Sequence, residues 1–423
     1  MKKIKRIITF TIITILISLF TQINIGNANE IDCTLLEPLP CDSVFTKKSK
    51  SKIDFYGWIL TGITVNNHGT KNDYGDGGHN YGYNRRDGRD GITDQSGNSY
   101  ILMLEQPSDW KLNQLWVGAK KDLDSQFDWG FRADFSYGTD VRYARNWGDQ
   151  SFDYKWGSGD YFASFVQLYG TIGTKDLYLK VGKFAGGFAY EGLPATKEFF
   201  YSHANICYGR PLTTSGAILE WNVSKKWTLS GGWTAGVFSS LENSNNDNAF
   251  LGKATYHFNK KASLTFKVFH NDKGYRSNAN RAATDTYSTL IFTYKINDRW
   301  FYMIEGAYTD GKVYGATKKG SDAWGINQHL IYTVNEKLSV GLRGEFHHSR
   351  ASMFDLPLLT IGGQGGDLYE ITLAANYKLN PKTIFRPEIR FDQADYNNGY
   401  LPFGGHENRS SQISGGCSFV LSF

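Results

Sequence analysis

Phe127-Asp128-Trp129-Gly130-Phe131-Arg132-Ala133-Asp134-Phe135-Ser136-Tyr137 is the stretch that decides the fold. Its odd positions are aromatic or aliphatic, and its even positions are charged or small. That is a period of two, the signature of a strand with one apolar and one polar face. The same alternation recurs to the last residue. In 337–349, Leu338, Val340, Leu342 and Phe346 oppose Arg343, Glu345 and His347. In 382–392, Phe385, Ile389 and Phe391 oppose Arg386, Glu388, Arg390 and Asp392. No segment sustains a helical period.

Sixteen strands are predicted: 53–66, 112–121, 126–137, 161–172, 176–184, 213–223, 226–237, 248–258, 262–270, 284–296, 299–309, 322–334, 337–349, 367–379, 382–392 and 410–423. Most are nine to fourteen residues long, enough for the roughly 9–11 that a tilted strand needs to cross a bilayer. Strands of soluble domains peak near about 5–6. The connections sort into two kinds. Those at 122–125, 173–175, 224–225, 259–261, 297–298, 335–336 and 380–381 are tiny, whereas 67–111, 138–160, 185–212, 238–247, 271–283, 310–321, 350–366 and 393–409 are long. Short turns at one rim and long loops at the other describe a bacterial outer-membrane barrel. The predicted class is all-β, a transmembrane antiparallel meander barrel over 53–423 with short periplasmic turns and long external loops.

Composition agrees. The chain has 423 residues and a net charge of +5, from 46 basic and 41 acidic residues. Four of the positives (Lys2, Lys3, Lys5, Arg6) lie at the very start, so the rest is nearly neutral and no nucleic-acid partner is expected. Aromatics make up 15%, too many for a disordered chain, and the mean hydropathy of −0.42 is too low for a bundle of membrane helices. The basic head precedes an apolar run from Ile7 to Phe20, then small residues at Gly26 and Ala28. This reads as a secretory signal over 1–28, cut after Ala28. A polar leader, 29–52, follows and ends in Lys47-Lys48-Ser49-Lys50-Ser51-Lys52. In the oxidising periplasm Cys33 and Cys41, with Pro38 and Pro40 between them, are expected to form a disulfide. Cys207 and Cys417 are expected to be free and buried, with a bridge between them as the alternative.

Phe55-Tyr56-Gly57-Trp58-Ile59 opens the first strand, and Trp129-Gly130-Phe131-Arg132-Ala133-Asp134 runs on to Tyr137-Gly138-Thr139-Asp140. Leu179-Lys180-Val181-Gly182-Lys183-Phe184 leads to Gly187-Phe188-Ala189-Tyr190-Glu191, followed by Phe199-Phe200-Tyr201-Ser202-His203 and Pro211-Leu212-Thr213-Thr214-Ser215-Gly216. Tyr369-Glu370-Ile371-Thr372-Leu373 precedes Arg386-Pro387-Glu388-Ile389-Arg390-Phe391-Asp392. In this order, from about residue 55 to 423, the chain resembles the putative β-barrel porin-2 (OmpL-like) family. The resemblance implies an outer-membrane porin and brings no defined solute or binding residues.

If the polar face lines an aqueous lumen, Arg132, Asp134, Arg343, Glu345, Arg386, Glu388, Arg390 and Asp392 are the candidate pore-lining charges. The competing reading is that they knit the wall together. The aromatic connection 185–212 (Phe188, Tyr190, Phe199, Phe200, Tyr201) is unsuited to open water. It is expected to fold inward as a constriction carrying Glu191, Lys197, Glu198, His203 and Arg210. The connection 67–111, with Arg85, Arg86, Asp87, Arg89 and Asp90, reads as a solvated external loop, with a cap over the mouth as the alternative. Trp58, Trp116, Trp227, Trp300, Trp324 and Tyr377 suit interfacial girdles.

No catalytic set, cofactor motif or metal-ligand spacing emerges. Gly362-Gly363-Gln364-Gly365-Gly366 lacks the Lys-Ser/Thr of a phosphate loop, and His347-His348 point to opposite faces. The expected partners are outer-membrane lipid, small hydrophilic solutes and the barrel-assembly machinery, which would read the terminal Phe423. A homotrimer is expected only by analogy with sixteen-stranded porins. The expected function is passive diffusion of small hydrophilic solutes. The alternatives are a solute-selective, for example carbohydrate, channel and an adhesin or structural barrel.

Overall fold

A computed structural model of the chain describes residues 53–68, 83–84, 89–90, 104, 109–144, 152–153, 156–158, 161–207, 212–236, 239, 241, 248–271, 283–313, 321–349, 366–396, 401–403 and 408–423. The signal, the leader with Cys33 and Cys41, Arg210 and most of the 67–111 loop lie outside the described residues.

Sixteen antiparallel strands form a closed barrel. They are β1 (Asp54–Asn66), β2 (Lys111–Lys121), β3 (Asp128–Gly138), β4 (Tyr161–Gly173), β5 (Leu177–Ala185), β6 (Thr213–Asn222), β7 (Trp227–Thr234), β8 (Ala249–Asn259), β9 (Ala262–Asn271), β10 (Ala283–Lys295), β11 (Trp300–Val313), β12 (Ser321–Thr333), β13 (Leu338–Ser349), β14 (Gly366–Asn380), β15 (Thr383–Tyr396) and β16 (Ser411–Ser422). Each pairs with its sequence neighbours. The ring closes where β1 meets β16, with Trp58 opposite Ser422 and Asn66 opposite Ser414. Phe423 completes that seam, since its N–H donates to the Gly57 carbonyl at 2.9 Å and its own carbonyl accepts from the Gly57 N–H at 3.1 Å. Closure leaves the barrel sheet itself without an edge strand.

Six of the seven tight turns share one device. The Asn259 side-chain oxygen accepts from the backbone N–H of Lys261 and Ala262, Asn297 from Arg299 and Trp300, Asn335 from Lys337 and Leu338, and Asn380 from Lys382. Ser224 and Thr174 do the same with hydroxyls. A short polar side chain that mimics a backbone turn fixes the hairpin register at this rim.

The two faces divide as the alternation predicts. Phe127, Trp129, Phe250, Ile371, Leu373 and Ile389 are exposed on the outside, with Phe127 at 76% and Ile371 at 57%. An apolar belt around the whole circumference is untenable in water and suits a lipid surface. Trp227, Trp300, Trp324 and Tyr377 lie on this outer face. Trp58 and Trp116 do not. They point into the barrel, are 5% and 0% exposed, and stack with ring centroids 4.6 Å apart, so they are removed from the girdle. The parity of β1 places Trp58 with Tyr56 and Leu60 on the inner face, and strand-end position alone did not reveal that. Cys207 and Cys417 form no disulfide with each other. Cys207 is buried, whereas Cys417 is half-buried on the outer face beside Phe419 rather than fully buried as expected.

Candidate functional site: a loop clamped across the lumen

The connection between β5 and β6 does not stay at the rim. From Gly187, in the left-handed region at φ 58°, it descends through two short 3-10 turns, Ala195–Lys197 and Asn205–Cys207. It then makes contacts on β2, β9, β11, β12, β13 and β15. Strands so far apart around a ring of sixteen can be touched by one segment only if it crosses the interior.

Most of those contacts join a wall charge to the loop backbone. The Glu305 carboxylate on β11 accepts from the Tyr190 N–H at 3.2 Å. Glu388 accepts from Tyr201 at 2.9 Å and from Ser202 at 3.1 Å. Glu345 accepts from Asn205 at 2.5 Å and from the N–H of Ile206. The guanidiniums do the reverse. Arg386 donates to the carbonyls of Glu198 (2.7 Å) and Ala195 (3.2 Å). Arg390 donates to the His203 carbonyl at 2.7 Å and to Asn205 Oδ1 at 3.1 Å, and is held from behind by Asp392. Such charge-assisted bonds are stronger than neutral ones, and they satisfy backbone groups that the barrel interior would otherwise strand.

Arg343 is the hub. Nη1 donates to Glu191 at 2.8 Å and to the Ser202 carbonyl at 2.6 Å, Nη2 to Ser202 Oγ at 2.9 Å, and Nε to Glu370 at 3.0 Å. Its planar face lies 4.8 Å from the Phe200 ring. Only a guanidinium offers that fork and that face together. Opposite, Gln114 donates to the Leu193 carbonyl at 2.8 Å and accepts from the Ala195 N–H at 3.3 Å, while the Tyr201 hydroxyl donates to Asn113 at 3.0 Å. Glycine makes room where the loop meets the wall, because a Cβ at Gly62 would stand 2.7 Å from the Tyr201 hydroxyl and one at Gly341 would run into the Phe199 ring.

The eight wall charges therefore all face inward, but they are used unequally. Arg343, Glu345, Arg386, Glu388 and Arg390 bind the loop, Asp392 orients Arg390, and only Arg132 and Asp134 stand clear of it. Among the loop residues, Glu191, Glu198 and His203 are buried against the wall and Lys197 is exposed. Burial alone would raise the Glu191 carboxyl, but Arg343 and His329, 3.2 Å away, overcome this and hold it well below its usual range. For Glu198, burial together with neighbouring Glu191 outweighs the Gly192 N–H and the more distant Arg386 and Arg343, and pushes it well above. Burial pushes the His203 ring down to about 4; Arg343, Arg390 and Arg386 add to this and Glu191 opposes it. Asn113, Gln114, Glu305, His329 and Glu370 escaped the sequence reading. The inward parity of Gln114, Glu305, His329 and Glu370 was visible, but not the segment that would meet them, and Asn113 joins Gln114 inside only through the register shift opposite Leu60 and Thr61. Among the described residues there is no group of side chains that could hold a metal ion.

His203 makes the clamp sensitive to acid. A ring whose pKa falls on folding favours the native state fully above about 6.5, and that contribution is lost as pH falls through about 4. The wild-type unfolding free energy, followed by heat-modifiable migration, should drop across that window relative to a His203→Gln variant, by on the order of 3 kcal/mol at most. Parallel pH profiles would refute this.

A family model described as putative beta-barrel porin-2, OmpL-like, matches residues 52–423. No curated protein matches the chain. Among solved structures, an anion-selective porin from Comamonas acidovorans is similar, with a TM-score of 0.58 at 11% identity, covering 88% of this chain and 99% of that one. The trimer form of in-vitro folded OmpT, an outer-membrane protein of Vibrio cholerae, gives 0.54 at 12% identity, with 88% and 99% covered. The outer-membrane channel DcaP of Acinetobacter baumannii gives 0.54 at 11%, with 88% and 97% covered. At such identities the likeness establishes the barrel fold.

Proposed function

The chain belongs to this porin family of the bacterial outer membrane, and from that premise we propose that it passes small hydrophilic solutes down their gradients through a lumen narrowed by the 185–212 loop. The observation that carries the reading is the clamp itself, an internal loop pinned to the wall by Arg343, Arg386, Arg390, Glu345 and Glu388. A pinned loop defines a fixed gap, and a fixed gap sorts solutes by size without a catalytic step. Of the wall charges beyond the loop, Arg132 then faces the water path while Asp134, fully buried, holds it from behind, and the field of such a charge orients dipolar solutes.

In this reading residues 1–28 direct export and are removed, and 29–52 form a periplasmic leader closed by the Cys33–Cys41 disulfide. Phe423, already paired in the seam, presents the end of the last strand to the assembly machinery. The outer belt contacts lipid, and the protein assembles as a homotrimer, as the OmpT structure does. The test is single-channel recording from purified, folded protein in a planar bilayer. Steady ohmic steps are expected. Silence from protein that still migrates as a folded barrel would overturn the reading in favour of a plugged structural barrel.

A further inference from the structure

A second set of inward charges lies on the wall formed by β3 to β9, away from the clamp. Arg132, Lys180, Glu220 and Lys253 keep side-chain exposures of 24%, 16%, 13% and 32%, whereas Arg343 and Arg390 keep 0% and 1%. These charges therefore border the open part of the lumen. Register places Tyr178, Glu220, Ser230, Lys253 and Lys267 in one row, level with one another on successive strands from β5 to β9, whereas Arg132 is level with Tyr169, which meets β5 at Gly182, one inward position beyond Lys180. Lys180 sits one inward position above Tyr178.

Among the described residues the charges around Glu220 are unbalanced. Asp134 takes Arg132 at 2.8 Å, but the single carboxylate of Glu220 serves both Lys180 (2.9 Å) and Lys253 (3.5 Å). Lys253 and Lys267 stand directly opposite each other on neighbouring strands, a like-charge pairing that costs stability and that a merely structural network avoids. Lys267 also reaches across to the loop, donating to the Ala189 carbonyl at 3.1 Å, so the row runs up to the constriction. Aromatic rings flank the cations. Lys180 lies 4.7 Å from the Phe184 ring and 5.6 Å from Tyr169, and Arg132 lies 5.4 Å from Tyr56.

Lys180 and Lys253, sharing one carboxylate, leave net positive charge beside a confined aqueous path, which concentrates anions, and neighbouring rings give the apolar body of an organic anion a surface to lie on. Building on the porin reading, we propose that Arg132, Lys180, Lys253 and Lys267 form a binding track for small organic carboxylates, which makes the pore prefer anions. The carboxylate exchanges between the Lys180 and Lys253 ammonium groups while the body rests against Tyr169 and Tyr178.

The test is bilayer recording under a potassium chloride gradient, with benzoate and acetate added in turn. Wild-type protein is expected to give a reversal potential of anionic sign, with benzoate reducing chloride current more than acetate does. A Lys180→Gln/Lys253→Gln double variant is expected to lower the chloride-to-potassium permeability ratio severalfold and to lose the benzoate effect. Ohmic steps with a neutral or cationic reversal potential in the wild type would overturn the track and leave the porin reading intact. So would a folded double variant with unchanged selectivity. Absence of any steps would overturn both. The wild-type measurements decide the matter even if the double variant does not fold.

Discussion

Replacing residues 188–206 by a short Gly-Ser linker is expected to raise single-channel conductance severalfold. This segment bridges β2 to the β11–β15 wall, through Gln114 on one side and Glu305, Arg343, Arg386 and Arg390 on the other. Removing it exposes those side chains to a water-filled lumen, where hydration replaces the lost backbone partners. The barrel should therefore survive the change, because its ladder of strand pairs and the β1–β16 seam do not pass through the loop. Planar-bilayer recording measures the effect directly. Unchanged conductance from a folded variant would remove the loop from the permeation path.

Arg343→Ala is expected to give the largest loss of stability of any single substitution at the clamp. It leaves the Glu191 and Glu370 carboxylates facing each other across a buried space, and it strands the Ser202 carbonyl and hydroxyl. Breaking a buried ion pair by removing one partner costs about 3–5 kcal/mol. Arg343→Lys should recover only part of it, because an ammonium cannot donate in a planar fork or lie flat on Phe200. Denaturant midpoints followed by heat-modifiable migration would check both, and open-channel noise should rise as the loop loosens. An alanine variant within about 0.5 kcal/mol of wild type, the range of ordinary surface substitutions, would show that Arg343 does not anchor the loop.

The barrel was legible because its information is local. Alternation over a stretch such as Phe127 to Tyr137 states which side chains meet lipid. Lengths of strand and connection state how the strands follow one another. Neither depends on knowing what is inside. Parity likewise placed Arg343, Glu345, Arg386, Glu388, Arg390 and Asp392 on the inner face, and the aromatic content of 185–212 pointed that segment inward. Parity cannot say what an inward charge touches. A half-turn around the barrel separates Gln114 from Glu305 with no periodic signal linking them, so the clamp was invisible until the loop had a path. Trp58 and Trp116 show the same limit, for an aromatic at the end of a strand suits a membrane girdle and an internal stack equally well until the faces are compared.

The chain by itself thus determined that sixteen alternating strands close into an outer-membrane barrel, since the solvent that each face requires is written residue by residue. Only the tertiary structure decided which inward charges are spent on backbone groups of the crossing loop and which, at Arg132, Lys180 and Lys253, still face water. The reason is physical. The use of a charge depends on the groups within hydrogen-bond reach, and across a lumen those groups are brought there by the fold alone.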